Sequence, residues 1–118
     1  MKDLKLSTEL ASAVLGLNVV YTESCEHRDG IIGIWTNMNT KPIKEINLYE
    51  FAFKCKEWAL TKGYMMKIEN HYSNSIVVQI RKTISNSAYI EPWKKTFRSE
   101  VEAIIKACEW ILKNKAND

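Results

Sequence analysis

The sequence predicts an α/β fold of the α+β type, a single-domain sandwich of a mainly antiparallel sheet with helices, in the order α-β-β-α-β-β-β-α. Segments with apolar residues at helical spacing alternate with segments rich in β-branched and aromatic residues. The 118 residues fit one domain, residues 1–118. The composition is globular, with 46% hydrophobic and 26% charged residues but only four glycines and two prolines.

The first predicted helix begins near Ser7 and ends at Gly16. Serine is a preferred N-cap because its hydroxyl accepts a hydrogen bond from a free backbone N–H of the first turn. Glycine readily adopts the left-handed conformation that ends helices. One face of this helix is apolar and should be packed. That face consists of Leu10, Ala13 and Val14.

Two strands should follow, over residues 17–22 and 31–36, because both segments are rich in β-branched and aromatic residues. The aspartate–glycine pair that ends at Gly30 is a turn signal before the second strand. Residues 37–46 are predicted as a loop, since Pro42 cannot occupy a central strand.

The second helix should begin after Asn47 and end at Gly63, with Glu50 completing a start that resembles a capping box. Its apolar residues recur at helical spacing, which predicts one buried stripe. The stripe consists of Phe51, Cys55, Trp58 and Ala59, with Leu48 and Ala52 beside it.

A half-buried antiparallel hairpin is predicted over residues 64–72 and 75–84, with a turn at Ser73-Asn74, because apolar and polar residues alternate in both segments. Residues 88–97 can supply a further strand. Pro92 within that strand indicates an edge position or a bulge.

The third helix should begin at Ser99, which forms an S-x-x-E capping box with Glu102. It resembles the second helix at an offset of 52 residues, with five identities in eleven positions. One interpretation is two related β-β-α halves that share one sheet. The alternative is coincidence between two amphipathic helices. The matched pairs are Glu50 and Glu102, Lys54 and Lys106, Glu57 and Glu109, Trp58 and Trp110, and Leu60 and Leu112.

The cysteines indicate a reducing compartment, and we expect the protein in the cytoplasm. Their number, three, is odd, and their spacing is not that of a disulfide framework. Cys55 and Cys108 lie in apolar stripes and should be core thiols. The apolar runs are too short to span a bilayer, and the N-terminus does not resemble a secretion signal. We therefore expect no membrane partner.

Catalytic, metal and cofactor chemistry finds little support in the sequence. Cys25 and His27 lie two residues apart, and with His71 they could form a metal or thiol site. The motifs C-x-x-C and H-E-x-x-H do not occur, and no glycine-rich loop precedes a helix to hold phosphate. We therefore expect no enzyme, no cofactor and no metal, and interpret residues 25–27 as a polar surface connection.

The net charge of +3, from 17 Lys and Arg against 14 Asp and Glu, is low for a dedicated nucleic-acid binder. Basic residues nevertheless alternate with aromatic residues over 93–98, a pattern that can clamp a nucleic-acid backbone and stack a base. The alternative is an ordinary edge strand that lysine and proline protect from aggregation, with Trp93 and Phe97 packed against the third helix. The candidate nucleic-acid-binding residues are Arg81, Lys94, Lys95 and Arg98.

Four tryptophans are many for a chain of this length. Trp58 and Trp110 lie on core-facing stripes, whereas Trp35 and Trp93 lie in strand or edge contexts and are the better candidates for exposed anchors in a protein interface. We therefore expect a non-enzymatic interaction or accessory protein that binds an unknown protein partner. A homodimer is a further alternative.

Residues 6–16 and 46–59 are similar to segments of small uncharacterised bacteriophage and prophage proteins. Residues 97–107, with the pattern Ala-Ile-x-x-Ala, resemble the closing helix of the phage "ABA sandwich" domains. The resemblance implies an α/β/α sandwich and a phage or prophage origin. With that origin it implies the cytoplasm of a bacterial host cell and a bacterial host or phage protein as the partner. It implies no activity and no functional residue.

Overall fold

The computed structural model contains the α+β fold that the sequence predicts, and it describes residues 5–24, 28–38, 41–72, 75–85 and 88–115. The predicted class and order of elements are confirmed, with one short additional strand, β3. The helices are α1 (Thr8–Leu15), α2 (Leu48–Thr61) and α3 (Glu100–Lys115). The strands are β1 (Tyr21–Ser24), β2 (Ile31–Trp35), β3 (Lys44–Asn47), β4 (Tyr64–His71), β5 (Ser75–Ser85) and β6 (Ala88–Phe97).

The described strands form two antiparallel three-stranded sheets, in the orders β1-β2-β3 and β4-β5-β6, so the expectation of one shared sheet is wrong. The chain divides into two compact units, residues 1–54 and 55–118, and α2 crosses this division. The assignment of residues 1–118 to one domain stays a prediction.

The predicted caps of α1 are confirmed. The Ser7 hydroxyl accepts a hydrogen bond from the Leu10 N–H at 3.1 Å. Gly16 has a φ of 69°, and its N–H donates to the carbonyl of Ser12. The Thr22 hydroxyl donates to the carbonyl of Leu6 at 2.7 Å and so joins the segment before α1 to strand β1.

Strand β1 begins later than predicted, at Tyr21, because the preceding residues connect α1 to the sheet. The Val19 N–H donates to the Ser12 hydroxyl at 2.9 Å, and the Val20 N–H donates to the carbonyl of Trp35 at 2.8 Å. Strand β3 occupies the end of the predicted loop and pairs with β2. The loop prediction is therefore wrong for residues 44–46.

One face of the first sheet is apolar and buried, as the residues paired across β2 and β3 show. Ile32 and Ile46 are directly paired, and both are almost fully buried, as is Ile34. Directly paired residues of antiparallel strands point to the same side, and successive residues point to opposite sides. The intervening residue Gly33 therefore lies on the other, outer face.

Helix α2 follows its predicted pattern. The Asn47 side-chain oxygen accepts a hydrogen bond from the Tyr49 N–H at 2.7 Å, which confirms the cap, and Gly63 has a φ of 85°. The predicted stripe is confirmed as well. Its buried residues are Leu48, Phe51, Ala52, Cys55, Trp58 and Ala59.

The predicted hairpin and the following strand form the second sheet, whose apolar face is covered by α3. Tyr64 of β4 meets Trp110 of α3 edge to face, with ring centroids 6.3 Å apart. The Pro92 prediction is confirmed: β6 is an edge strand, and its pairing shifts by one residue opposite Arg81. The predicted turn residues Ser73 and Asn74 lie outside the described part of the chain.

One of the two hydrogen bonds of the predicted α3 capping box is shown, from the Glu102 N–H to the Ser99 hydroxyl at 3.4 Å. The Cys108 thiol donates to the carbonyl of Cys55 at 3.4 Å, and both side chains are fully buried. They are core thiols, as predicted. The contact with Cys108, together with burial, raises the pKa of Cys55 well above its ordinary value.

Both sheets are three-stranded meanders followed by a helix. The sequence similarity between the second and third helices fits this arrangement. The offset of 52 residues places the cap Asn47 on Ser99 and the first residue of α2, Leu48, on Glu100 of α3. Each half has three strands, whereas the interpretation as a repeat gave each half two. A true repeat stays a prediction.

Candidate functional site

Trp35 lies at the end of β2, where it forms an aromatic pair with Tyr21 of β1. The two residues are directly paired across the strands. Their ring centroids are 5.2 Å apart, and the ring planes are tilted by 59°. Because β1 and β2 hold both backbones, the pair is positioned by the sheet and not by a loop.

Gly33 makes the position of the indole possible. A Cβ atom at Gly33 would lie 2.8 and 2.9 Å from two carbons of the Trp35 six-membered ring, and 3.5 Å from the Cβ of Pro42. Carbon atoms do not approach this closely, so any side chain at this position would displace the indole. The Trp35 ring therefore lies directly on the backbone of its own strand, with Pro42 beside it.

The outer face of the first sheet is defined here by Tyr21, Glu23, Gly33, Trp35 and Glu45, which share one side of the sheet by their register. Tyr21 is 40% exposed and Trp35 is half-buried. Further large apolar side chains of this unit are also exposed to solvent. They are Leu17, Val20, Met38, Ile43, Tyr49 and Phe53.

Two carboxylates flank Gly33 on this outer face. Glu23 of β1 and Glu45 of β3 are its direct partners on either side, and both are exposed. Glu45 forms an ion pair with the guanidinium of Arg28. Within the described residues, Glu23 has no such ion pair. The aromatic pair is thus bordered by one carboxylate with an ion pair and by one that has none among the described residues.

Trp93 was expected to be exposed, and this expectation is wrong. It is only 9% exposed and stacks on Phe97, with ring centroids 6.0 Å apart. Trp93 pairs with Ile80, so it points to the face of the second sheet that α3 covers. The alternative, packing of the edge strand against the third helix, is the arrangement observed.

The four candidate nucleic-acid-binding residues do not form one surface. The register places Lys94 opposite Gln79, on the side of the sheet away from α3, and Arg81 is the neighbouring position on that side. Lys95 is on the opposite side, with its ammonium group 5.8 Å from the centroid of the Trp93 ring. Arg98 follows the end of β6.

Acidic residues partly neutralise this basic region. Arg81 is 3.3 Å from a carboxylate oxygen of Glu91, and the Lys67 ammonium group is 2.8 Å from Glu69. The Lys67 ammonium group and His71 lower the pKa of Glu69 below its ordinary value, which keeps it ionised. The positive potential is correspondingly weakened.

The metal or thiol site considered at Cys25, His27 and His71 is described only at His71, because residues 25–27 lie outside the described ranges. The Nε2 atom of His71 is 3.3 Å from Glu69. Among the residues that the structure describes, no group of three or more His, Cys, Asp or Glu side chains could hold a metal ion.

Comparison with known proteins gives no relative: no family model, curated protein or solved structure matches this chain. The resemblance to phage proteins therefore stays an expectation. In the described part of the chain, no helix combines the length and the apolar character needed to cross a membrane.

Sequence reasoning identified Trp35 but missed Tyr21 and Gly33. Gly33 carried a usable signal, since a glycine inside a β-branched strand often marks a close approach of another group. Tyr21 was included in the first predicted strand, but its partner could be found only from the register.

Proposed function

We propose that this chain is a protein-binding module whose contact surface is the outer face of the first sheet. The observation that carries the proposal is the aromatic pair of Tyr21 and Trp35, which the sheet positions with Tyr21 40% exposed and Trp35 half-buried. Tryptophan and tyrosine are enriched among the residues that dominate binding energy in protein interfaces.

Pre-organisation supports this role. Gly33 beneath the indole and Pro42 beside it restrict the Trp35 side chain before any partner arrives. A side chain that is already ordered loses less conformational entropy on binding, which saves about 0.5–1.5 kcal/mol for each side chain concerned. Ile43, which is 62% exposed and lies two residues before Glu45, can enlarge the apolar contact.

The test is capture of partners from bacterial lysate, with and without nuclease, by the tagged protein, by Trp35→Ala and by two matched tyrosine variants. Tyr21→Ala and Tyr72→Ala each remove one exposed tyrosine, and Tyr72 is 98% exposed in the second unit. We expect a stoichiometric protein partner that survives nuclease, with affinity reduced roughly 30-fold by Trp35→Ala and clearly reduced by Tyr21→Ala. Tyr72→Ala should bind normally. Equal capture by all four proteins would contradict the proposal.

Nucleic-acid binding by the second unit is the second candidate, favoured by an uneven distribution of charge. Residues 55–118 contain eleven Lys and Arg against seven Asp and Glu, whereas residues 1–54 contain six against seven. The candidates are Arg81, Lys94, Lys95 and Arg98. This proposal predicts binding to oligonucleotides that weakens steeply as salt rises, because released counterions drive it. No binding at low salt would remove it.

We further propose a phage or prophage origin and a role in the bacterial cytoplasm. The origin is supported only by the resemblance of residues 6–16, 46–59 and 97–107 to phage proteins, and the compartment by the odd number of cysteines.

A further inference from the structure

We infer that the outer face of the first sheet binds a basic segment of its partner, and that an arginine or lysine side chain of that segment contacts Trp35, Tyr21 and Glu23. This inference rests on the proposed protein-binding function and adds the chemistry of the partner to it. It follows from the aromatic pair, the two flanking carboxylates and the charge of the unit.

The aromatic pair is the first component of such a site. The face of an aromatic ring carries negative electrostatic potential, and tryptophan attracts cations most strongly. The two rings are tilted by 59° with centroids 5.2 Å apart, so they form a corner in which a cation can contact both aromatic side chains. The tyrosine ring is 40% exposed and accessible to a partner.

Glu23 supplies the negative charge. It is two residues from Tyr21 on β1 and shares its side of the sheet, and it is diagonal to Trp35 because its direct partner is Gly33. Diagonal neighbours on one sheet face lie about 7–8 Å apart, within reach of a long side chain. A guanidinium or ammonium group on the rings can therefore also bind the Glu23 carboxylate.

The same face already contains one pair of this chemistry. On the β3 side of Gly33, the Arg28 guanidinium binds the Glu45 carboxylate. Glu23 occupies the equivalent position on the β1 side, and no described residue forms an ion pair with it. A cationic side chain of the partner would pair with Glu23 on the β1 side, as Arg28 pairs with Glu45 on the β3 side.

The charge of the first unit is complementary to a basic segment. Residues 1–54 have a net charge of −1, whereas residues 55–118 have a net charge of +4. Electrostatic complementarity directs a charged partner to the surface of opposite sign. An acidic or nucleic-acid partner would be repelled by Glu23, so the observations favour a basic peptide on this face.

The test uses the full chain and two acetylated, amidated peptides, Arg-Gly-Arg-Gly-Arg and the same peptide with citrulline in place of arginine. Citrulline keeps the shape of arginine without its charge. The readout is the indole N–H signal of Trp35 in ¹H–¹⁵N spectra, identified with Trp35→Phe. We expect a saturable shift of this signal with the arginine peptide and little change with the citrulline peptide.

Glu23→Gln should weaken binding of the arginine peptide roughly fivefold, since an exposed cation–carboxylate contact contributes modestly. Glu57→Gln is the matched control: it removes the same charge from an exposed position of α2 and should not alter the affinity by more than about 1.5-fold. The spectra themselves show that each variant remains folded.

Two results would overturn the inference: equal shifts with both peptides, or no shift of the Trp35 signal up to about 10 mM arginine peptide. These results leave the proposed function intact if Trp35→Ala still reduces partner capture. Conversely, arginine-peptide binding together with unchanged partner capture by Trp35→Ala would contradict the proposed function alone.

Discussion

At the scale of single residues, the contact between Gly33 and Trp35 links the sequence most directly to the proposed surface. The indole lies so close to the backbone that no Cβ atom fits between them. Gly33→Ala should therefore displace the ring, and we expect it to destabilise the fold by about 1–3 kcal/mol, as overpacking does. Chemical denaturation measures the loss, and tryptophan fluorescence measures the change around the indole.

The control for Gly33→Ala is the same substitution in the Trp35→Ala background. If the clash with the indole causes the loss, its cost should fall to less than half once the ring is removed, since the two changes are then coupled. An equal cost in both backgrounds would show that the backbone, and not Trp35, requires glycine here.

Glu69 gives a prediction about protonation. The Lys67 ammonium group, and secondarily His71, lower the pKa of the Glu69 carboxyl below the ordinary value of 4.5. Lys67→Gln should raise this pKa towards 4.5, whereas Lys62→Gln should not change it. A side-chain NMR titration measures both. Since the pKa is lowered by folding, the associated stability is present above pH 4.5 and is lost as the pH falls through the lowered pKa.

Helix α2 allows a prediction at the scale of elements. The Asn47 side chain accepts the Tyr49 N–H at 2.7 Å, so Asn47→Ala leaves this N–H of the first turn without its protein acceptor. We expect a loss of about 1 kcal/mol in the free energy of unfolding. Asn70→Ala, at an exposed position of β4, is the control and should cost clearly less. Similar losses in the two variants would contradict a capping role for Asn47.

Most elements could be predicted from the sequence because their signals are local. The caps Ser7, Asn47 and Ser99 lie where side-chain chemistry predicts a helix start, and Pro92 correctly indicated the bulged edge strand. Strand β3 was missed because four mostly polar residues show no alternating pattern, and their pairing with β2 is a non-local property.

The two cysteines of the second unit should react with thiol reagents only when the core of that unit unfolds. Cys55 and Cys108 are fully buried, and their contact together with burial raises the pKa of Cys55. We expect both to resist a disulfide reagent in the native protein and to react rapidly in denaturant. Mass spectrometry of labelled peptides distinguishes the two sites. Rapid native labelling at either would contradict the described core.

The same burial predicts how stability depends on pH. In the unfolded chain the Cys55 thiol ionises near its ordinary pKa of 9.0, whereas in the folded protein it stays protonated. Its contribution to stability is therefore complete below pH 9.0 and decreases as the pH rises above it. Denaturation at pH 8 and pH 10 measures the loss, which should be smaller in Cys55→Ala. An equal loss in the variant would assign it to other groups.

For the molecule as a whole, the candidate surface was only partly predictable. Trp35 and Trp93 have equivalent local contexts in the sequence, yet one borders solvent and the other packs under α3. The difference depends on which side of each sheet is covered, and only tertiary structure determines that. The separation of Lys94 and Lys95 was predictable from the sequence, because alternation along a strand places neighbouring residues on opposite sides.

The start of α2 is hydrogen-bonded to the residue that precedes β2, because the Leu48 N–H donates to the carbonyl of Gly30 at 2.7 Å. The first amide of a helix ordinarily has no partner within the helix and exchanges its proton with water quickly. Here the acceptor is eighteen residues away, so this amide is protected only while that hydrogen bond stays intact. Its hydrogen-exchange rate therefore reports opening of the first sheet from a position within a helix.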